Sequence, residues 1–374
     1  MFILYVECLS DVQSIGKEIS LMNRFSKTFN MGGRLVGEGQ PALIMADLGG
    51  NFDGDIKKAK MLAKLVKDTG ADVVKIQSFL AKKIVSGKGF ASMQLKGVHG
   101  SWGKPVDEVF RAAEFPREWH KEFFDYCNEI GILVSSSPWD YEAVDIMEEA
   151  NVPFYKIGSG DITWLEMLEY IAKKGKPVIL ATGASTLAEV DEAVRVIEAT
   201  GNKDLALLQC ITNYPSKIES ANLRVLDTYQ TAFDVITGYS DHTPTDTVVL
   251  GAVARGAKVI EKHFTDSKKN AGPDHPHSME PDEFAKMVER IRDMEKALGT
   301  ARKEVVAEES ETVIVQRRGL YASAAIKAGE VIGERIVELR PALGVYPKYK
   351  KQVAGLRAKA DIAEGEAIFW DSLE

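Results

Sequence analysis

Eight short apolar runs, each followed by a polar turn and a stretch of helical periodicity, limit how this chain can fold more than any other feature. They begin at residues 41, 72, 131, 153, 177, 205, 234 and 258 and read PALIMAD, DVVKIQ, GILVSSSP, PFYKIGSG, PVILAT, LALLQC, DVITGYSD and KVIEKHF. Strands of a parallel sheet are buried on both faces and read as continuous apolar segments. Eight strand–helix units predict an α/β fold, a (β/α)8 TIM barrel, rather than an open sheet, since no dinucleotide-binding or phosphate-loop glycine motif follows any run.

Two of the intervening segments carry clear helix signals. In residues 185–199 either Ser185 or Thr186 can cap the start, and apolar residues recur on one face. Residues 281–298 show a similar apolar stripe, which core packing explains.

Charge and composition exclude several classes of protein. The net charge of −8 and the pI near 5.5 argue against a nucleic-acid partner and against binding to an anionic membrane surface. No apolar run reaches the roughly 20 residues of a membrane span, and the opening MFILYVECLSD lacks a basic start and a cleavage site, so we expect a cytoplasmic protein. Cys8, Cys127 and Cys210 are few and scattered, so we expect them to be buried apolar groups rather than disulfides or zinc ligands.

A barrel of this kind places catalytic side chains at the C-terminal ends of its strands. Polar residues cluster there, and in several runs they are two apart, so that both point to the same face of a strand. They are Asp47, Lys75, Gln77, Ser137, Lys156, Ser159, Thr182, Thr212, Tyr214, Ser240, His242, Glu261 and His263.

His242 and His263 end consecutive predicted strands, in a chain with only six histidines. Two imidazoles without cysteine ligands suit a divalent ion such as Mn²⁺, with water and substrate completing its coordination. A single histidine at a strand end would more often be structural. The other four are open to blander interpretations: His275 and His277 are either substrate-facing or solvated, and His99 and His120 are structural or exposed.

Lys75 and Lys156 fall at strand ends among hydrophobic residues, where an unpaired ammonium would be costly. With Ser137, Ser159 and Ser240 nearby, a phosphate-bearing anion is the natural partner. The alternative is that each lysine extends to the rim of the barrel and stays solvated.

An ordered set of motifs from about Gly33 to the C-terminus closely resembles the sialic acid synthases, a family that also makes legionaminic and pseudaminic acids. The motifs are VVKIQSF, VSSSPWD, YKIGSGDI, TGASTLAEVDEAV, LLQCITNYP, ITGYSDHT, VIEKHF, GPDHPHSMEP and RRGLYASAAIKAGEVI.

The resemblance implies a metal-dependent condensation of phosphoenolpyruvate with an open-chain 2-acetamido hexose, giving a nine-carbon 2-keto acid and phosphate. It implies that His242 and His263 bind Mn²⁺ or Mg²⁺ and that Asp47 assists proton and water movements. The residues implied to bind phosphoenolpyruvate are Lys75, Ser137, Lys156, Ser159, Thr212 and Ser240. Those implied to face the sugar are Gln77, Tyr214, Glu261, Asp274 and Arg340.

The resemblance also divides the chain. Residues 31–301 correspond to the barrel, the acidic stretch 302–311 reads as a linker, and residues 312–374 resemble a small, mostly β antifreeze-like domain (SAF, a β-clip fold). That domain contains a near repeat, AIKAGEVI from 325 and DIAEGEAI from 361, each with a glycine turn. In the family it caps the partner's site in a domain-swapped homodimer. Residues 1–30 are interpreted as an N-terminal extension of unknown role.

Relatives usually read Glu-Ile-Gly, a variable residue and Asn-His after the first barrel strand, whereas this chain reads Asp47, Leu48, Gly49, Gly50, Asn51 and Phe52. The departure favours a different acceptor sugar. Three alternatives stay open: a non-catalytic protein that binds the sugar and phosphoenolpyruvate, a related synthase acting on a sugar phosphate, and an unrelated metal-dependent sugar isomerase.

Overall fold

The structure is a computed structural model that describes residues 24–95, 100 and 102–374. The chain divides after Gly299 into two compact units. Among the described residues, no helix combines the length and the apolarity needed to cross a bilayer.

The first unit contains a parallel eight-stranded sheet, and all eight predicted strands are present. Hydrogen bonding connects them in the order β5-β4-β3-β10-β9-β8-β7-β6. At the remaining junction between β5 and β6, the hydroxyl of Ser135 donates to the carbonyl of Phe154 at 2.7 Å. The sheet is therefore a nearly closed barrel, as predicted. Its strands are β3 Leu43–Asp47, β4 Val73–Ser78, β5 Leu133–Pro138, β6 Tyr155–Ile157, β7 Val178–Ala181, β8 Leu205–Cys210, β9 Ile236–Asp241 and β10 Val259–His263.

Helices follow the strands around the outside of the barrel. They are α1 Ile56–Asp68, α2 Ala81–Ile84, α3 Gly87–Ala91, α4 Val106–Ala112, α5 Trp119–Glu129, α6 Tyr141–Glu149, α7 Leu165–Ala172, α8 Leu187–Ala199, α9 Val225–Phe233, α10 Thr247–Ala254 and α11 Pro281–Leu298. Both predicted helices are confirmed. Thr186, rather than Ser185, caps α8: its hydroxyl accepts from the N–H of Glu189, and the Glu189 carboxylate accepts from the N–H of Thr186.

A β-hairpin closes the N-terminal end of the barrel. Its strands are β1 Thr28–Met31 and β2 Arg34–Gly37. Phe29 and Met31 are buried against the first residues of the barrel strands, including Leu43 and Val259. The predicted boundary between residues 30 and 31 is therefore wrong, because it would divide β1 and remove a buried aromatic ring from the core. The rest of the predicted extension, residues 1–23, lies outside the described residues.

The second unit, Thr300–Glu374, has its own small core. Its elements are α12 Ser310–Gln316, β11 Gly319–Ala322, β12 Ile336–Leu339 and α13 Lys350–Ala354. The near repeat is visible in the fold: Ile326 and Ile362 exchange both backbone hydrogen bonds, and the turn glycines Gly329 and Gly365 both have φ of 80°. The predicted linker is not wholly irregular, since α12 begins at Ser310 within it.

Candidate active site

One cavity of about 230 Å³ lies at the C-terminal ends of the barrel strands. Side chains two apart on β4, and again on β10, point into it, as period-two alternation requires. Every barrel residue to which the sequence assigned a role lines this cavity: Asp47, Lys75, Gln77, Ser137, Lys156, Ser159, Thr212, Tyr214, Ser240, His242, Glu261, His263 and Asp274.

Two residues singled out in the sequence lie elsewhere. The hydroxyl of Thr182 donates to the carbonyl of Leu208 at 2.9 Å and also contacts the hydroxyl of Tyr229. Thr182 directly follows β7, as expected, but it does not line this cavity. Arg340 follows β12 in the second unit and is exposed there. Its contact with the sugar stays a prediction.

The floor of the cavity is a chain of alternating charges. The Nζ of Lys75 lies 2.7 Å from Oδ2 of Asp47 and 3.3 Å from Oε1 of Glu261. The other oxygen of Glu261 lies 3.3 Å from Nζ of Lys156. All four side chains are almost fully buried. In a site of low dielectric, such pairing is what makes burial of ionised groups tolerable.

The pairing changes the pKa values of the first two groups. Burial alone would raise the pKa of Asp47, but Lys75 and His263 outweigh burial and hold it well below its ordinary value. Burial alone would lower the pKa of Lys75, and the carboxylates of Asp47 and Glu261 reverse the effect and raise it. Both groups are therefore ionised at neutral pH.

Both buried lysines have a carboxylate partner within the protein. The sequence predicts a substrate anion on the ground that an ammonium buried at a strand end would otherwise lack a partner, and this ground is wrong because a carboxylate contacts both Lys75 and Lys156. Glu261 bridges the two lysines, and its expected contact with the sugar stays a prediction. The capacity to bind an anion therefore also depends on hydrogen-bond donors outside these ion pairs.

Hydroxyl groups beside the lysines supply such donors. Ser137 Oγ accepts from Lys75 Nζ at 3.3 Å, and Ser159 Oγ accepts from the N–H of Gly183 at 2.8 Å. Each hydroxyl keeps its own O–H for a further acceptor. Gly183 permits the close approach, because a Cβ at this position would lie 2.6 Å from Thr212 Cγ2.

His242 and His263 lie on one side of the cavity, with ring centroids 5.4 Å apart. Nδ1 of His242 is 2.8 Å from the carbonyl of Ile211, so the ring is held in place and Nε2 is left for a ligand. Burial lowers the pKa of His242 well below its ordinary value, and the neighbouring His263 adds to the effect. His242 is therefore neutral, the form that binds a metal.

The loop after β10 adds two donors that face His263. One donor atom each from His263, Asp274 and His277 can be chosen so that all three lie within 4.8 Å of one another, a spacing compatible with one metal ion. The sequence suggested Asp274 only through the family resemblance and left His277 undecided, because no local pattern tells how a loop folds back. Burial lowers the pKa of His277 to about 4, with His263 adding to the effect.

The neighbouring His275 is neither substrate-facing nor solvated. It is fully buried, with Nδ1 at 2.6 Å from the hydroxyl of Thr265 and Nε2 at 3.0 Å from Oδ1 of Asp53. Both sequence interpretations of His275 were wrong, because the loop turns this ring under the barrel mouth. His120 is structural, as one interpretation had it: it is buried against Ser78 Oγ. His99 lies outside the described residues.

Aromatic side chains form the outer wall of the cavity, a feature that sequence reasoning missed. Phe79 packs edge-on against Phe110 and Trp139, and Trp102 packs against Phe110. Only the WD pair after the third barrel run hinted at them. The cavity thus has a charged floor and an apolar wall.

Phe52, where the family resemblance leads us to expect histidine, is buried in the layer between sheet and helices, edge-on to Phe115 at 5.2 Å. Its departure from the family pattern affects the core rather than the cavity. Cys127 is a buried core residue as expected, whereas Cys210 is buried but lines the cavity; Cys8 lies outside the described residues.

Fold and cavity together define a TIM-barrel enzyme followed by a small β-rich unit. The NeuB family matches residues 62–303, and the SAF domain matches residues 317–374. The chain is 40% identical over 344 residues to an uncharacterised protein of Methanocaldococcus jannaschii, covering 92% of this chain and 98% of that one.

It is also 38% identical over 330 residues to the N,N'-diacetyllegionaminic acid synthase of Campylobacter jejuni, covering 87% of this chain and 98% of that one. Among solved structures it resembles the N-acetylneuraminic acid (sialic acid) synthetase of Leptospira borgpetersenii, with a TM-score of 0.69 and 28% identity over 77% of this chain and 96% of that one.

The chain therefore belongs to the NeuB family, and the resemblance found in the sequence is confirmed. It is a carbon–carbon bond-forming transferase dependent on phosphoenolpyruvate, and its relatives support the condensation of a sugar with that compound in general terms.

Proposed function

We propose that the protein condenses phosphoenolpyruvate with an open-chain 2-acetamido or 2,4-diacetamido hexose in a metal-dependent reaction that yields a nine-carbon 2-keto acid and phosphate. The observation that carries the proposal is the single cavity in which lysines, hydroxyls, an ionised carboxylate and neutral imidazoles meet.

Phosphoenolpyruvate would occupy the floor. Its carboxylate and phosphate would accept from Lys75, Lys156 and the O–H groups of Ser137 and Ser159, with Ser240 and Thr212 beside them. Lys75 already contacts both Asp47 and Glu261. The incoming anion would therefore share the Lys75 ammonium with these carboxylates and would not displace them. In this arrangement both lysines would stay protonated while phosphoenolpyruvate is bound.

The reaction balances with these residues. C3 of the enol attacks the aldehyde carbon of the sugar, and the aldehyde oxygen takes up a proton and becomes a hydroxyl. Water then adds to C2 and loses one proton, which leaves a hydroxyl group on C2. As the bond between C2 and the phosphate oxygen breaks, the proton of this hydroxyl passes to the departing phosphate and C2 becomes a ketone. Asp47, ionised beside Lys75 and accepting from Gln77 Nε2 at 3.0 Å, is placed to orient the water and accept its proton.

The residues present fit a divalent metal. His242 keeps Nε2 available, and Nδ1 of His263 is buried with no hydrogen-bond partner among the described residues. Nitrogen donors of this kind suit Mn²⁺, and Mg²⁺ is the alternative. When bound by His242 and His263, the ion would polarise the sugar aldehyde.

The sugar would lie between the histidines and the aromatic wall. Gln77, Tyr214 and Asp274 offer polar contacts, and Glu261 lies at the boundary with the floor. The wall of Phe79, Trp102 and Trp139 favours acceptors with apolar substituents such as acetamido methyl groups. A diacetamido sugar is the acceptor class that agrees with both surfaces.

We further propose a cytoplasmic homodimer in which the second unit of one subunit brings Arg340 to the cavity of the other. The family resemblance supports this arrangement, and the exposed side chain of Arg340 is available for such a contact.

The test is phosphate release from phosphoenolpyruvate by the purified full-length protein with Mn²⁺, across a panel of 2-acetamido and 2,4-diacetamido hexoses, with product masses recorded. We expect release with one class of acceptor, abolished by a chelator and by His242→Ala. Absence of release with every sugar, while phosphoenolpyruvate and Mn²⁺ still bind, would favour the non-catalytic alternative.

Lys156→Ala separates the synthase from a sugar isomerase. Phosphoenolpyruvate needs this ammonium at the floor, and an isomerase has no phosphate to bind. We expect a loss of phosphoenolpyruvate affinity of about tenfold or more, since hydrogen bonds to charged groups contribute about 1.5–3 kcal/mol. The control is Lys173→Ala, on the exposed surface, which should bind normally. Full turnover in Lys156→Ala would support the isomerase.

A further inference from the structure

The loop that follows β10 is fixed to the barrel at several points. Nδ2 of Asn51, which is fully buried, donates to the carbonyl of Phe264 and to the hydroxyl of Ser278, both at 2.9 Å. That hydroxyl donates to the carbonyl of Asp274 at 2.7 Å. With His275 held beneath the loop, Asp274 and His277 are presented to the cavity by a supported backbone, as a preorganised site requires.

Within the described part of the chain, the carboxylate of Asp274 accepts a hydrogen bond through one oxygen only. Oδ2 accepts from the N–H of Gly50 at 2.7 Å, and a Cβ on Gly49 would lie 2.3 Å from the same oxygen. Gly49 also has φ of 50°, which favours glycine. The Gly49–Gly50 turn therefore makes room for this carboxylate and leaves Oδ1 directed towards His277, whose Nε2 is 3.7 Å away.

Two imidazole nitrogens face this carboxylate without a partner. Nε2 of His277 and Nδ1 of His263 are both buried with no hydrogen bond among the described residues, and their side chains are only 4% and 7% exposed. The two ring centroids lie 5.0 Å apart. Leaving two polar atoms unsatisfied in one place costs free energy, which an ion between them would offset.

We propose that His277 is a metal ligand, acting with His263 and Asp274. These donors lie within 4.8 Å of one another, and they would bind the same ion as the pair His242 and His263 proposed above. Two imidazoles and one carboxylate form a set that binds borderline divalent ions and leaves positions open for water and substrate. The inference rests on the proposed function, since it concerns the same metal, but metal binding can be measured without turnover.

The competing explanation is that His277 only packs against Tyr214, whose ring centroid lies 5.2 Å away. Two variants separate packing from coordination. His277→Phe keeps a ring and loses the donor, and His277→Glu loses the ring and keeps an oxygen donor of similar reach. Pro276→Ala, at an exposed neighbour in the same turn, controls for disturbance of the loop.

The experiment is a Mn²⁺ titration of the metal-free full-length protein without substrates, followed by the electron paramagnetic resonance signal of free Mn²⁺, with pulsed measurements of nitrogen couplings to the bound ion. We expect His277→Phe to weaken Mn²⁺ binding by about tenfold or more, the loss seen even when only the support of a ligand is removed, and to lose one nitrogen coupling. His277→Glu should bind more tightly than His277→Phe, and Pro276→Ala should match the wild type.

Mn²⁺ affinity of His277→Phe within about twofold of wild type, with unchanged nitrogen couplings, would overturn the proposal, as would absence of Mn²⁺ binding by the wild type. The two proposals fail separately. Weakened metal binding in His277→Phe, in a protein that releases no phosphate with any sugar, would support the ligand assignment and count against the synthase. If the wild type releases phosphate but His277→Phe binds Mn²⁺ as tightly as the wild type, the synthase proposal would be supported and the ligand assignment would be wrong.

Discussion

The ammonium of Lys75 contacts two carboxylates and one hydroxyl, so these contacts affect how strongly the cavity binds an anion. Its three N–H groups reach Asp47, Glu261 and Ser137. An anion that binds here would share this ammonium with Asp47 and would be repelled by the charge of that carboxylate. The carboxylate therefore has two separable effects: it limits the attraction for phosphoenolpyruvate, and it serves the proton transfers of the reaction.

Replacing Asp47 by Asn separates these effects. The amide keeps the shape of the side chain but removes its charge, so Lys75 retains only Glu261 as a charged partner. We expect phosphoenolpyruvate to bind as tightly as before or more tightly, while kcat falls by about 10²- to 10⁴-fold, the usual contribution of a positioned acid or base. Calorimetric titration gives the first quantity, and phosphate release gives the second.

Asp47→Glu is the matched control, because it restores the charge with the longer side chain expected in relatives. The increase in activation free energy caused by Asp47→Glu should be less than half of the increase caused by Asp47→Asn. Wild-type turnover in Asp47→Asn would remove Asp47 from the mechanism.

At the scale of elements, the outer face of β9 and β10 carries a buried ion pair that supports the cavity from behind. Nζ of Lys262 lies 2.6 Å from Oδ2 of Asp241 and 2.6 Å from the carbonyl of Thr243, and both charged side chains are almost fully buried. Asp241 also accepts from the N–H of Thr243 at 3.0 Å. The pair thus fixes the turn that carries His242.

Lys262→Met should destabilise the barrel, because it leaves Asp241 buried without its counter-ion. The expected loss in free energy of unfolding is about 3–5 kcal/mol, the cost typical of removing one partner from a buried pair. Urea denaturation measures it. Combining Lys262→Met with Asp241→Asn should recover part of the loss, since the remaining charge is removed. A double variant as unstable as the single one would show that Lys262 acts through packing alone.

His120 connects α5 to the end of β4 through a hydrogen bond between its Nε2 and the hydroxyl of Ser78. Burial lowers the pKa of His120 to about 4, against an ordinary value of 6.5. Below pH 6.5 His120 becomes protonated in the unfolded chain but stays neutral in the native protein. The free energy of unfolding therefore falls as the pH drops towards 4. The contribution of this residue should decrease by about 1.4 kcal/mol per pH unit in that range.

Urea denaturation at pH 6.5 and pH 5.0 checks this contribution, with His120→Gln as the comparison. The variant should lose about 2 kcal/mol less stability than the wild type over the interval. Identical pH dependence in both proteins would mean that His120 has the same pKa in the native and the unfolded state.

At the scale of the whole molecule, the two units raise the question of how Arg340 is used. If the second unit of each subunit serves the barrel of the other, two inactive variants should complement each other. Asp47→Asn damages the barrel site and leaves Arg340 intact, whereas Arg340→Ala does the opposite. Each protein alone should be strongly impaired, the second through weaker sugar binding.

Mixing the two variants under conditions that allow subunit exchange should restore about a quarter of the wild-type rate, because half of the dimers in a symmetric exchange are mixed and each mixed dimer has one intact site. Light scattering gives the oligomeric state of the same samples. No recovery of activity in a mixture that demonstrably exchanges subunits would place Arg340 with its own barrel.

Local signals in the sequence were sufficient for the strands and for much of the site. A strand buried on both faces must be apolar, so all eight barrel strands could be located, and the pair Ser185 and Thr186 marked the start of α8 without deciding which of them caps it. Because side chains alternate along a strand, the pairs Lys75 and Gln77, and Glu261 and His263, were correctly assigned to one face. The two turn glycines of the second unit were located from the near repeat in the sequence.

Tertiary structure alone decided which of these groups meet. The pairing of Lys75 with Asp47 and Glu261, the place of Phe29 in the barrel core, the exclusion of Thr182 and the position of His277 beside His263 all depend on residues far apart in the chain. Periodicity reports which face a residue occupies. It carries no information about the distance between two loops or about a buried charge's partner, because packing of the whole barrel sets both.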